Sequence, residues 1–283
     1  MRVSQDLPYI IQLLDDPAPE IKAAVAQYLD QFDGDISEEL ASHALTLSPP
    51  QRREIALLTL PGRRRVIEEL WSVPLRFQQD QSNDWATFEH LLSLIADYLH
   101  DGVTIRPSMA DSLDLLADEA HLAEAHTNEK ALADFLFLNE RFSGNKRNYF
   151  AKENSDLIWV LENNIGNPIS LVIVYMLLGN RFGLNVFGCN YPGHFLAWVE
   201  DTDGPHLVDA YNKARQLSPH TILQENPNIS ENAIRALQGP CTFNIIIQRI
   251  LNNIEAAYGK EGIMHEASLI QKLRASLIHP SIV

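Results

Sequence analysis

Cysteine is almost missing from this 283-residue chain, which has only Cys189 and Cys241. That excludes a disulfide framework, leaves room for one bridge at most, and fits a reducing compartment, so the expected location is cytoplasmic. Positive charge is also scarce: 22 Lys and Arg stand against 37 Asp and Glu, a formal net charge of -15 and a pI near 5.0. Such a surface repels phosphate backbones and anionic lipid, so neither nucleic acid nor a membrane is an expected partner. The basic runs Arg52-Arg53 and Arg63-Arg64-Arg65 are short, carry no interleaved aromatics, and are expected on a solvated face. Long apolar runs are lacking as well. The most apolar stretch, "PISLVIVYMLLG", is shorter than the ~18 to 20 residues a membrane span needs, and "MRVSQDLPYIIQLLDDPAPE" holds no signal-peptide core before its acidic residues.

Phosphate loops and metal spacings are absent too. "SGNKRN" has a lone glycine and no Lys-Ser pair after it, which predicts a structural turn with Asn145 bonding the backbone. His121 and His126, on one helix turning ~100° per residue, would sit ~140° apart and could not grip one ion, and no Cys pair has ligand spacing. No metal and no cofactor are expected.

What the chain does have is helical periodicity. Residues 8 to 32 carry apolar residues at helical spacing on both sides of Asp15-Asp16-Pro17, with Pro19 suited to a first turn. "SHALTLSPPQRREIALLTL" repeats that plan, with Ser48 as N-cap and Pro49 or Pro50 opening the second helix. The spacing of these pairs resembles HEAT-type repeats. Three further apolar stripes follow between Asn83 and Asn139, and Gly166-Asn167-Pro168 opens a helix to about Arg181 with almost no polar face, so it must be enclosed on nearly all sides.

Strand-like runs then cover roughly Leu184 to Asn190, His194 to Glu200 and His206 to Tyr211. The middle run is apolar at both parities, which predicts a central strand covered on two faces. A turn pair, Pro192-Gly193, delivers His194 to its start. In an antiparallel pair that start lies near the neighbour's end, so His194 and Asp209 should share a sheet edge, although a turn centred on Asp203 puts Asn212 opposite His194 and requires a bulge or strong twist for contact. "NIIIQRILNNIEAAYG" and "HEASLIQKLRASL" return to helix. The fold class is α+β, predominantly helical, with a small antiparallel sheet between helical N- and C-terminal regions.

Phe142-Ser143-Gly144-Asn145, Asn154-Ser155, Gly166-Asn167-Pro168-Ile169-Ser170-Leu171, Pro192-Gly193-His194-Phe195-Leu196 and Asp209 together resemble the SirB-type transglutaminase-like domain, which also occurs in an F-box protein. The resemblance covers roughly residues 90 to 215. It implies a transglutaminase- or papain-like core over 84–218, with helix pairs over 1–80 and a helical extension over 219–283. It also implies a nucleophilic Cys at a helix start, a His on one strand and an Asp on the next. His194 and Asp209 take the last two positions, whereas the helix start carries Pro168, with Ser170 two residues on.

Ser170 is either a substitute nucleophile with His194 as base, or a first-turn hydroxyl satisfying the backbone. His194 likewise serves either chemistry or the sheet edge. Cys189, five residues before His194, belongs to the preceding strand and reads as a small buried residue, while Cys241 near a helix start invites a lowered thiol pKa. The expected function is a non-catalytic or regulatory module with a protein or peptide partner. The alternative is an amide or ester hydrolase, or an acyl transferase, built on His194, Asp209 and Ser170.

Overall fold

The computed structural model describes residues 5–78, 84–202, 204–225 and 228–278, and its contacts divide the chain into two compact units. The first comprises residues 1–72 with 94–107, and the second 73–93 with 108–283. The first unit holds α1 (Leu7–Gln12), α2 (Pro19–Asp30), α3 (Ser37–Ser42) and α4 (Pro49–Leu70). Pro19 opens α2 without an N-cap side chain, and Asp16 turns the chain before it by accepting the Ala18 N–H. Ser48 and Gln51 close a capping box on α4, as its sequence predicts. Leu7, Ile11, Leu29, Ile36 and Ile55 form one apolar core. One expectation fails here: Arg63 is not solvated but buried, donating to the carbonyls of Gly34, Ala56 and Asp101. Its fork of donors suits several carbonyls converging on one point, a role that a neighbouring-charge pattern does not reveal.

In the second unit are α5 (Leu75–Gln78), α6 (Trp85–Leu99, whose last residues are counted with the first unit), α7 (Met109–Leu122), α8 (Glu129–Ala133), α9 (Leu157–Asn163) and α10 (Pro168–Arg181). After the sheet come α11 (Pro219–Glu225), α12 (Glu231–Ala236), α13 (Phe243–Glu261) and α14 (Met264–Ile278). Every residue of α10 from Pro168 to Gly179 is buried. Each fully buried Leu, Ile or Val side chain stabilises by about 1.5–3 kcal/mol, so this helix anchors the unit. Phe243 at the start of α13 stacks on Phe88 of α6 at 4.4 Å between ring centroids, tying the C-terminal hairpin to the core.

The sheet is β3 (Val186–Cys189), β4 (Leu196–Asp201), β5 (Gly204–Asp209) and β6 (Arg215–Leu217), all antiparallel and in that order. α10 packs on β3 and β4, while Leu196 and Trp198 join Cys189, Leu207 and Leu237 in a separate cluster. Leu196, Ala197, Trp198 and Val199 are all buried, so β4 is the doubly covered central strand that its apolar parities predict. Two pairings go beyond the three strand-like runs. β6 extends the sheet, and a two-residue parallel pair joins β1 (Ser143–Gly144) to β2 (Ile165–Gly166).

Candidate functional site

His194 precedes β4 in the turn that Pro192-Gly193 begins. Gly193 takes φ 78°, the left-handed conformation in which glycine carries no Cβ penalty. The ladder pairs Ala197 with Val208, and beyond it β5 gives way at Asp209 to a 3₁₀ turn over Ala210–Asn212. His194 and Asp209 therefore meet just outside the paired strands, without a bulge inside the ladder. Nε2 lies 2.7 Å from Asp209 Oδ1. The same carboxylate accepts the Asn212 backbone N–H at 3.1 Å and its side-chain amide at 2.8 Å. Burial alone would raise the Asp209 carboxyl, but the bonds from His194 and Asn212 hold it below the usual carboxylate range. An ionised Asp209 fixes the tautomer with the proton on Nε2, which leaves the Nδ1 lone pair without a partner among the described residues.

Ser170 does not join this pair. Its N–H goes to Asn167 Oδ1 at 3.0 Å and its hydroxyl donates back to the Asn167 carbonyl at 3.1 Å. The side chain is 2% exposed. A Cβ added at Gly166 would meet Ser170 Oγ at 2.4 Å, so the hydroxyl fills the space that this glycine leaves. Neither thiol takes its place. Cys189 is buried on β3 with its Sγ 3.2 Å from the Ala236 carbonyl, and burial pushes its pKa up to about 11. Cys241 corrects the expectation of a lowered pKa: it bridges to Gly188 and precedes α13, and burial pushes it up to about 12. Both cysteines are unbridged.

A buried asparagine pair supports the neighbouring wall. Asn145 donates to Asn154 Oδ1 at 2.9 Å and accepts the Asn148 N–H at 3.0 Å, and Asn154 donates to the carbonyls of Asn148 and Tyr149. "SGNKRN" is thus the backbone-bonding turn that its composition predicts. It sets Tyr149 edge-on to Tyr211, which in turn lies edge-on to His194 at 6.2 Å and packs over Gly144. The rings form a path from the His–Asp pair to a cleft of about 190 Å³ at the start of α10. Asn167, Pro168 and Ile169 lie at that start, with Tyr149 and Phe150 on one side and Arg249, Asn253 and Lys260 of α13 on another. The α13 residues form no motif in the sequence, where the apolar stripe of that helix dominates the pattern. Positions 249, 253, 256, 257 and 260 recur at helical spacing and trace a second stripe.

His121 and His126 also differ from expectation. α7 stops at Leu122 and Glu124 turns left-handed at φ 55°, so the two rings lie 4.1 Å apart rather than on diverging faces. The rings lie tilted at 32° to one another, and among the described residues no group of three His, Cys, Asp or Glu could hold a metal. Among the same residues no helix is long and apolar enough to cross a membrane.

A family profile described as Transglutaminase-like superfamily matches residues 107–252. A UPF0162 protein of Xylella fastidiosa is 31% identical over 134 residues, covering 45% of this chain and 48% of its own. A second UPF0162 protein, from Vibrio cholerae, is 32% identical over 113 residues, covering 38% and 42%. F-box only protein 21 of Mus musculus is 27% identical over 144 residues, covering 48% of this chain but 22% of that protein. The chain spans about half, or less, of the length of these relatives. No solved structure matches it.

Proposed function

The chain belongs to the transglutaminase-like superfamily, and from that premise we propose that it is a binding module of this fold that has exchanged turnover for recognition of a protein or peptide. The observation that carries the reading is the inward Ser170 hydroxyl, bonded to the Asn167 carbonyl and buried against Gly166. A nucleophile must be reachable by its base and by substrate, and this one faces its own helix cap. Pro168 fills the position where the resemblance puts the superfamily thiol, and Cys189 is buried and Cys241 half-buried, both with raised pKa values. On this reading the core spans 84–218, and the helices over 1–80 and those over 219–283 each offer further contact surface of their own. Two unbridged cysteines fit work in the cytoplasm.

One feature favours acyl transfer or hydrolysis instead. His194 and Asp209 hold the geometry of a base and its orienter, with Nδ1 unengaged. On that reading Ser170 must turn out of its cap so that His194 can take its proton and its oxygen can attack an acyl carbon.

Turnover of p-nitrophenyl acetate and of a glutaminyl-peptide amide, compared among wild type, His194→Ala and Ser170→Ala, separates the two. Equal background rates are expected throughout. A loss of two orders of magnitude or more in both variants, as removal of a base or nucleophile produces, overturns the binding reading.

A further inference from the structure

The cleft at the start of α10 holds cations that no carboxylate among the described residues neutralises. Arg249 spends Nη1 on the Asn190 side chain and the Tyr191 carbonyl, and its plane lies over the Phe195 ring at 5.3 Å. Its Nε and Nη2 donors have no partner among the described residues. Arg65, Arg76, Arg106, Arg141, Arg181 and Arg274 each pair with a carboxylate, and Arg52, Arg53, Arg147, Arg215 and Arg235, which do not among the described residues, are exposed to solvent, whereas Arg249 is half-buried without one. That is unexpected in a chain where acidic residues outnumber basic ones 37 to 22. A half-buried guanidinium without a counter-ion is costly unless a ligand supplies one.

Lys260 lies three helical turns further along the same stripe of α13. It carries no carboxylate partner among the described residues and rests its ammonium 3.7 Å from the centroid of Phe150. No acidic side chain lines the cleft. On the α10 side Pro168 has no N–H, Ser170 gives its own to Asn167 Oδ1 and Leu171 to the Asn167 carbonyl. Ile169 lines the cleft, and its amide is then the first-turn donor without a partner among the described residues. The remaining surface is mixed but uncharged: Phe150, Pro168, Ile169, Phe195 and Ala256 are apolar, beside Tyr149, Asn167 and Asn253.

We propose that this cleft binds a peptide carboxylate next to an apolar side chain, with Arg249 and Lys260 taking the charge and Phe150, Pro168 and Phe195 taking the apolar group. The proposal rests on the binding reading and names its ligand class. Carboxylate is favoured because the planar guanidinium fork offers two parallel donors to it. The Pro168–Phe150 wall favours a bulky neighbour, and the acid-free lining excludes a basic peptide.

The test is titration of the full chain, isotopically labelled, with three probes: N-acetyl-phenylalanine, N-acetyl-phenylalanyl-glutamate α-amide with its side-chain carboxylate free, and N-acetyl-phenylalaninamide. NMR would follow the Ile169 amide and the Arg249 Nε–H. At least one acid is expected to shift both signals, and the uncharged amide to bind at least tenfold more weakly. The first probe reports a terminal carboxylate and the second a side-chain one. Lys260→Gln, at an exposed position, should weaken the preferred acid severalfold with an otherwise unchanged spectrum. Arg249→Lys should weaken it more while keeping a charge beside Tyr191.

Equal affinity for acid and amide, no shift with either acid, or an Arg249→Lys variant that binds as wild type each overturns the proposal. So does tighter binding of inorganic phosphate than of either acid. These failures are distinct from that of the binding reading, which falls only if Ser170 and His194 variants lose turnover.

Discussion

At the scale of single residues, Asp209 does more than any other group to hold the site together. It is buried and accepts three hydrogen bonds, from His194 Nε2, the Asn212 backbone and the Asn212 side chain. Because its folded pKa lies below the ordinary value of about 3.9, the stability it contributes is fully present above that value and is lost as pH falls through the folded pKa. Asp209→Asn keeps the shape but exchanges a charge-assisted bond for a neutral one and sets two amide groups against each other at Asn212. The substitution should cost about 1–3 kcal/mol at pH 7 and flatten the fall of stability as pH drops below about 4, measured by urea unfolding at each pH. A wild-type slope retained in the variant would assign the acid sensitivity to other carboxylates. His194 and Asp209 were legible because a Pro-Gly turn, an apolar strand and a following acid form a local pattern. The inward turn of Ser170 was legible only as one of two options, since rotation of a hydroxyl leaves no trace in residue order.

Among the elements, the long and strongly patterned ones were readable: α10 from its Asn-Pro opening and continuous apolar run, α4 from its capping box, β4 from its two apolar parities. Two of the departures, β6 and the closeness of His121 to His126, share one physical cause. The chain reaches β6 through Lys213 and Ala214, both left-handed at φ 59° and 55°, and α7 ends before Glu124 at φ 55°. Left-handed backbone is ordinarily announced by glycine, and none of these three residues gives that signal. The missed strand and the mistaken divergence of His121 and His126 follow from it. Each such residue costs roughly 1–2 kcal/mol relative to glycine's freedom there, partly offset by glycine's larger unfolded-state entropy. Glu124→Gly should therefore raise stability by up to about 1 kcal/mol with an unchanged denaturant slope, read from the urea midpoint. No gain would mean that the Thr127 hydroxyl bond to the Glu124 carbonyl, present in the wild type, depends on the side chain.

For the molecule as a whole, net charge and local charge oppose each other. The formal charge of -15 repels an incoming carboxylate, whereas Arg249 and Lys260 attract it within the cleft. The two forces differ in range. Raising ionic strength from 0.01 to 0.15 M shortens the Debye length from roughly 30 Å to roughly 8 Å, which removes distant repulsion before it weakens a contact of a few ångströms in a half-buried site. The association rate of an acidic peptide should accordingly rise over that interval, while its dissociation rate changes little, because charges far from an interface act on encounter and charges inside it on residence. Stopped-flow mixing of a labelled phenylalanyl-glutamate peptide at a series of salt concentrations measures both rates. Association that slows steadily from the lowest salt would show that attraction, not repulsion, dominates at long range, and would require a positive field extending well beyond Arg249 and Lys260.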